Sequence, residues 1–163
     1  MIIVKIRSQQ ALRSLLVGIL ALHLPCKSMA YCFEEAAKSY SVPAMMLKAI
    51  AKTETNMVST KIGPTNLNGS YDIGLMQINS SHLGSLSRYG INQETLLADP
   101  CLNVKVGAWI LQKNFIKYGE TWRAVGAYNA GDEAKRALYA QKVAKNYASL
   151  SGVSQPSFFP PLH

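Results

Sequence analysis

Two carboxylates, Glu54 and Asp72, stand in settings of opposite character. Glu54 lies in LKAIAKTETN, behind Pro43, in a run of good helix formers with a proline suited to a first helical turn. On a wheel with Leu47 at zero, Ile50 falls at about −60°, Ala51 at about +40°, Ala44 at about +60° and Glu54 at about −20°. Lys48, Lys52 and Asn56 fall on the other side. The one acid of this helix therefore points into its apolar face, where its charged form is disfavoured and its pKa should rise. A carboxylic acid still protonated near neutrality can donate a proton to the leaving oxygen of a glycosidic bond. A buried acid paired with a base or with backbone would carry the same pattern. Asp72 follows the polar run Asn68-Gly69-Ser70. Glycosidases commonly pair a protonated carboxyl in an apolar pocket with an ionised one in a polar setting. Asp72 would serve equally well to order its own loop.

A second group of residues suits a sugar. Gln77 and Asn79 follow Gly74, and Tyr128-Asn129 lies among small residues before Gly131. Uncharged amides and an aromatic ring match the hydroxyls, amides and apolar ring faces of N-acetylated sugars. Other chemistries find little to work with. Of the three histidines, only His82 and His163 lie beyond residue 30, and His163 is the last residue, so a Ser-His-Asp or Cys-His site is poorly supplied. The GxSxG, HExxH, P-loop and GxGxxG patterns are absent. Asn66-Leu67-Asn68-Gly69 offers too few carboxylates for a calcium loop and reads as a turn. No metal and no cofactor is expected. Glu34, Glu35, Glu94, Asp99, Glu120, Asp132 and Glu133 sit near helix starts or on polar faces, where capping or solvation accounts for them.

The elements that must hold these residues are mostly helical. CFEEAAKSY makes a short amphipathic helix, and the Pro43–Thr55 helix follows. Residues 56–73 lose periodicity and collect Gly63-Pro64 and Asn68-Gly69, which predicts a functional loop with a small hairpin near 60–73. GLMQIN and SHLGSLSRYG read as short helical pieces. CLNVKVGAWILQKNFIKYG, near 101–118, is apolar on more than one face and should be the central helix. TWRAVGAYNAG and DEAKRALYAQKVAKNYASL supply two more helices, and SGVSQPSFFPPLH (151–163) is expected to be a flexible tail.

Residues 1–30 have the layout of a secretory signal peptide. Lys5, Arg7 and Arg13 precede the apolar run LLVGILALHL, and Ser28-Met29-Ala30 ends it in a cleavage pattern. The run is short of the roughly 20 residues needed to span a bilayer. Four of the 17 basic residues and none of the 9 acids lie in this leader, so its removal lowers the net charge from +8 to +4. It leaves 133 of the 163 residues, enough for one domain with a real core. A charge of +4 with no basic stripe gives no case for nucleic acid. Two cysteines remain, Cys32 and Cys101, and an even pair in an oxidising compartment reads as a disulfide.

The motifs AIAKTETN, GSYDIGLMQIN, DPCLNVKVGAWIL and AVGAYNAG, in this order with the cysteine pair, resemble the transglycosylase SLT domain of the lysozyme-like superfamily. The resemblance is closest to the small invasion-associated (IagB-like) form that accompanies type III secretion, conjugation and pilus machines. It places the SLT domain at 31–150 and implies a mainly α, lysozyme-like fold. It also implies peptidoglycan as substrate and cleavage of the β-1,4 bond between N-acetylmuramic acid and N-acetylglucosamine with 1,6-anhydro ends. Glu54 would be the acid and then the base, with Gln77, Asn79, Tyr128 and Asn129 on the sugar. The chain departs from the pattern twice. Thr55 stands where the family usually has Ser after its catalytic Glu, and Asp72 stands where most members carry small or hydroxyl residues. Asp72 leaves open a muramidase giving a hydrolysed product. A non-catalytic wall-binding scaffold is the reading from another class, and it has no need of an acid on an apolar face.

Overall fold

The computed structural model describes residues 31–153. The signal-peptide assignment to residues 1–30 and the tail assignment from residue 154 onward lie outside the described residues.

The chain begins with α1 (Phe33–Tyr40), which buries Phe33 and Ala36 and ends on Ser41 in the left-handed conformation. Helix α2 (Ala44–Thr55) starts behind Pro43 and buries Met46, Leu47, Ala49, Ile50, Ala51 and Thr55. Its buried surface is wider than a single stripe, because α1 packs on it from one side and the last helix, α7 (Glu133–Ser151), from another. Asn56 and Met57 both have positive φ, at 51° and 71°, and turn the chain sharply off the end of α2.

The loop that follows carries a turn at Asn66–Gly69, with the Gly69 N–H on the Asn66 carbonyl at 2.9 Å. The strand pairing falls later than expected. β1 (Asp72–Ile73) pairs antiparallel with β2 (Ile78–Asn79), and the 60–73 segment contributes one bridge, Ile62 to Ile73. GLMQIN is therefore a turn running into a strand, not a helical piece. The reason is local: Gly74 and Gln77 adopt φ of +74° and +48°, which no right-handed helix accommodates. Short helical turns then run from Ser80 to Tyr89, including α3 (Leu83–Leu86), and α4 (Gln93–Ala98) opens on an Asn92–Thr95 capping box.

Helix α5 (Pro100–Tyr118) is the central element, with Val104, Val106, Ala108, Ile110, Leu111 and Phe115 all buried. Asp99 caps it by accepting from the Cys101 and Leu102 N–H groups. The helix is apolar round most of its circumference because α1, α4, α6 (Trp122–Gly126) and the β1–β2 ladder all pack against it. Helix α6 lies against α7 so closely that a Cβ on Gly126 would come within 2.5 Å of the Arg136 carbonyl oxygen. Cys32 and Cys101 form a disulfide that ties the start of α1 to the start of α5 across 69 positions, with Cα atoms 5.3 Å apart. No helix among the described residues is long and apolar enough to cross a membrane.

Candidate active site

Glu54 occupies the last turn of α2, where the helix gives way to the loop. Two neighbours fix that end. The Thr55 hydroxyl lies within hydrogen-bond reach of the Leu75 and Ala51 carbonyls, at 2.9 and 3.1 Å, fastening α2 to the β1–β2 turn. Lys61 donates to the backbone carbonyl of Glu54 at 3.0 Å, satisfying an acceptor that the helix end leaves free.

The Glu54 carboxyl is held from behind by Tyr139 of α7, whose hydroxyl donates to Oε1 at 2.5 Å. Burial pushes the Glu54 pKa up to about 7. The Tyr139 bond works against that rise by stabilising the charged form, and the charge of Asp72 adds to it. Lys61 and Lys142 pull weakly the other way. At neutral pH the group divides between acid and base forms, the state a proton donor and acceptor needs.

All six residues singled out as catalytic or sugar-binding border one cleft of about 250 Å³: Glu54, Asp72, Gln77, Asn79, Tyr128 and Asn129. They come from three separate stretches of chain, and the packing of α2, α6 and the β1–β2 ladder around α5 brings them together. Asp72 sits on β1 with its Oδ1 accepting from the Asn79 amide at 2.8 Å, directly across the ladder. Asn79 also donates to Ser70 and accepts from the Ser81 N–H, so its side chain is committed to the hairpin as well as facing the cleft. Gln77, in its left-handed backbone, donates to the Gly74 carbonyl at 2.8 Å and the Lys61 carbonyl at 3.2 Å. The Tyr128 hydroxyl donates to the Met76 carbonyl at 3.0 Å, and burial holds its pKa well above the usual tyrosine value. Asn129 is exposed at the mouth.

Behind these residues, Asn103 of α5 is fully buried and supports the turn. Its amide accepts from the Met76 N–H at 2.8 Å and donates to the Ile73 and Leu96 carbonyls at 3.0 and 3.2 Å. A Cβ on Gly74 would lie 2.3 Å from that amide, and one on Gly107 about 3 Å from both Met76 and the Tyr128 hydroxyl. The two glycines let the turn and the tyrosine sit tight against the central helix.

Several residues of this site went unflagged in the sequence. Tyr139 lies 85 positions from Glu54 on the final helix, and periodicity marks it only as core. Asn66, His82 and Ile110 complete the cleft lining. His82 is half-buried, and its pKa is lowered by burial and by the nearby Lys113 ammonium. Asn66 carried only a turn signal, Ile110 and Tyr139 only the periodicity of core residues, and none of these pointed to the cleft. Among the described residues, the one cysteine-containing group close enough to hold a metal is the disulfide pair with Glu35, whose sulfurs are already bonded to each other.

Comparison with known proteins places this geometry in context. Residues 31–150 match the family model described as the transglycosylase SLT domain. Among curated proteins the chain is similar to the invasion protein IagB of Salmonella typhimurium, 46% identical over 129 residues, which cover 77% of this chain and 80% of IagB. It is also similar to the protein IpgF of Shigella flexneri, 37% identical over 143 residues, covering 85% and 93% of the two chains. Among solved structures it resembles the lytic transglycosylase Slt of Pseudomonas aeruginosa, with a TM-score of 0.59 and 21% identity. That match covers 90% of this chain and 28% of Slt, and at this identity it speaks for the fold. The family match over the whole described domain, on a lysozyme-like helical fold, shows that the chain belongs to the transglycosylase SLT domain family of peptidoglycan lytic transglycosylases.

Proposed function

We propose that this protein cleaves the β-1,4 bond between N-acetylmuramic acid and N-acetylglucosamine in peptidoglycan without water as the nucleophile, leaving 1,6-anhydromuramic ends. The observation that carries the reading is Glu54, a carboxyl held by burial at a pKa of about 7 on the wall of an amide-rich cleft. Protonated Glu54 gives its proton to the glycosidic oxygen as the bond to the muramic C1 breaks, and N-acetylglucosamine leaves with a free 4-hydroxyl. The positive charge at C1 is taken up by the substrate's own N-acetyl group. The Glu54 carboxylate then removes the proton from the muramic 6-hydroxyl, whose oxygen closes onto C1. The enzyme ends in its starting form and no water is consumed.

Gln77, Tyr128 and Asn129 hold the sugar in this reading, and Asn79 bridges the cleft wall to Asp72. Asp72 supports one specific alternative. A second carboxylate in the cleft, steadied by Asn79 and felt electrostatically by Glu54, is the equipment of a muramidase that admits water. The muropeptides released from purified sacculi separate the readings by mass. Anhydro products are about 18 Da lighter than hydrolysed ones because one water is missing, and they should disappear in Glu54→Gln. Asp72→Asn should lower turnover with the anhydro product retained. Hydrolysed products would instead establish the muramidase, and undiminished activity in Glu54→Gln would remove Glu54 from the chemistry.

The signal-like residues 1–30 and the Cys32–Cys101 disulfide support export to the periplasm, where peptidoglycan lies. The motif resemblance set out in the sequence, together with the similarity to IagB, a protein named for invasion, supports local opening of the wall for an envelope-spanning machine of the type III secretion, conjugation or pilus class.

A further inference from the structure

A second and larger cavity, about 510 Å³, opens beside the cleft and differs from it in chemistry. Its walls come from Tyr40 of α1, Leu86, Arg88, Tyr89 and Ile91 of the segment after β2, and Val106 and Trp109 of α5. The two spaces share the same turn of the central helix: Ile110 faces the cleft and Trp109, its chain neighbour, faces the cavity. His82 lines the cleft and meets the Trp109 ring edge-on, with centroids 6.1 Å apart, so one aromatic pair forms the partition.

The lining argues against another saccharide. The cleft offers the amides of Asn66, Gln77, Asn79 and Asn129 to sugar hydroxyls. The cavity offers no side-chain amide, only Ser85 and the tyrosine hydroxyls among aliphatic and aromatic walls. It does offer positive charge. Arg88 lines it, and Lys113 sits 4.6 Å from the centre of the Trp109 ring at the partition. Neither cation takes part in the ion pairs formed among the described residues. Arg88 Nε donates to the Ser85 carbonyl, leaving the guanidinium's other N–H groups for a ligand. A partly apolar, anionic occupant fits these walls, and the shared turn of the central helix puts it next to whatever fills the cleft.

Resting on the peptidoglycan reading above, we propose that this cavity binds the acidic stem peptide carried by a muramic acid residue of the strand in the cleft, with Arg88 pairing a stem carboxylate. The stem leaves the glycan through the lactyl group, bears alanine methyls and free carboxylates, and at three to five residues spans roughly 10–17 Å when extended. Guanidinium–carboxylate pairing at the edge of an apolar pocket gives both affinity and selectivity. The enzyme would thus read stem-bearing strands in preference to bare glycan.

The test compares glycan strands with intact stems against the same strands stripped by an amidase. Arg88→Ala and Tyr89→Ala alter exposed positions, so both should fold. Arg88→Ala is expected to raise KM about tenfold on stem-bearing strands with kcat held, the size of one lost charge-assisted contact, and Tyr89→Ala, which removes part of the wall, to raise it by roughly threefold; both should leave KM on stripped strands within about twofold. Equal loss on both strands would make the cavity a sugar subsite, and no change on either would leave it to some other occupant; both overturn the proposal. A binding arm keeps this separate from the cleavage reading. In Glu54→Gln, a muramoyl peptide should change Trp109 fluorescence while N-acetylmuramic acid alone does not, and Arg88→Ala in that background should abolish the change. That result stands or falls whether or not the wild type cleaves sacculi. A peptide response that survives Arg88→Ala would also overturn the proposal.

Discussion

Glu54 shows how one side chain's surroundings set both its chemistry and its cost. Burial raises its pKa from 4.5 to about 7, so between those values the folded protein holds a proton that the unfolded chain has lost. Stability is then fully present below about pH 4.5 and declines as pH rises toward 7, the reverse of an ordinary paired carboxylate. Because the group borders an open cleft, the loss is on the order of 2 kcal/mol. Glu54→Gln carries no such charge. Its Tm should equal that of wild type near pH 4 and exceed it at pH 8, by about 4–8 °C for a domain of this size. A constant Tm difference across this range would remove the burial argument. Tyr139 acts on the same group in the opposite sense. Its hydroxyl stabilises the carboxylate, so Tyr139→Phe should raise the Glu54 pKa further. A neutral donor to a charged acceptor is worth about 1.5 kcal/mol, or roughly one pH unit. The alkaline limb of the kcat/KM profile should therefore move up by about one unit, whereas a merely structural loss would lower the rate at every pH alike.

At the scale of elements, the β1–β2 turn is the part that the sequence described least well. Apolar periodicity found α2 and α5, because both bury faces several turns long, and proline and glycine marked their ends. GLMQIN has an equally apolar composition over only six residues, too short for period to separate a helix from a turn and strand. What fixes it as a turn is tertiary: Asn103, about 30 residues downstream, occupies the polar groups of Ile73, Leu96 and Met76. The cleft residues Gln77, Asn79, Tyr128 and Asn129 were still legible, because amides and an aromatic beside glycines are informative by type. Tyr139 was not, since its partner is set by the packing of α7 on α2. Asn103→Leu keeps the volume but orphans the Met76 N–H and the Leu96 carbonyl in a dry interior, and leaves the Ile73 carbonyl only its ladder bond to Ile78. At about 1–3 kcal/mol per orphaned group, softened by relaxation of the turn, the domain should lose about 3 kcal/mol in urea unfolding. Activity should fall more steeply than stability, because the same turn carries Gln77 and receives Tyr128 and Thr55. Loss of stability with full activity would show that the turn positions nothing.

At the scale of the whole molecule, the described domain is closed by one covalent tie. The disulfide joins the start of α1 to the start of the central helix and encloses α2, the loop, the ladder and α4. Every cleft residue contributed by the first half of the domain, from Glu54 to His82, lies inside that loop, and Tyr128, Asn129 and Tyr139 lie outside it. The site is therefore assembled by docking the enclosed segment against α6 and α7. Closing 69 positions of chain removes denatured-state entropy worth about 4 kcal/mol on the chain-entropy account. Reduction, or Cys32→Ser with Cys101→Ser, should lower the unfolding free energy by about 2–4 kcal/mol. The cysteines border neither the cleft nor the larger cavity, so the reduced protein should keep its kcat and its Glu54 titration at low temperature and lose them together as it melts. Parallel measurement of unfolding and turnover in oxidised and reduced protein checks this. An equal Tm in the two forms would dismiss the tie as a source of stability. A fall in kcat well below the melting transition would show instead that the disulfide sets the geometry of the cleft.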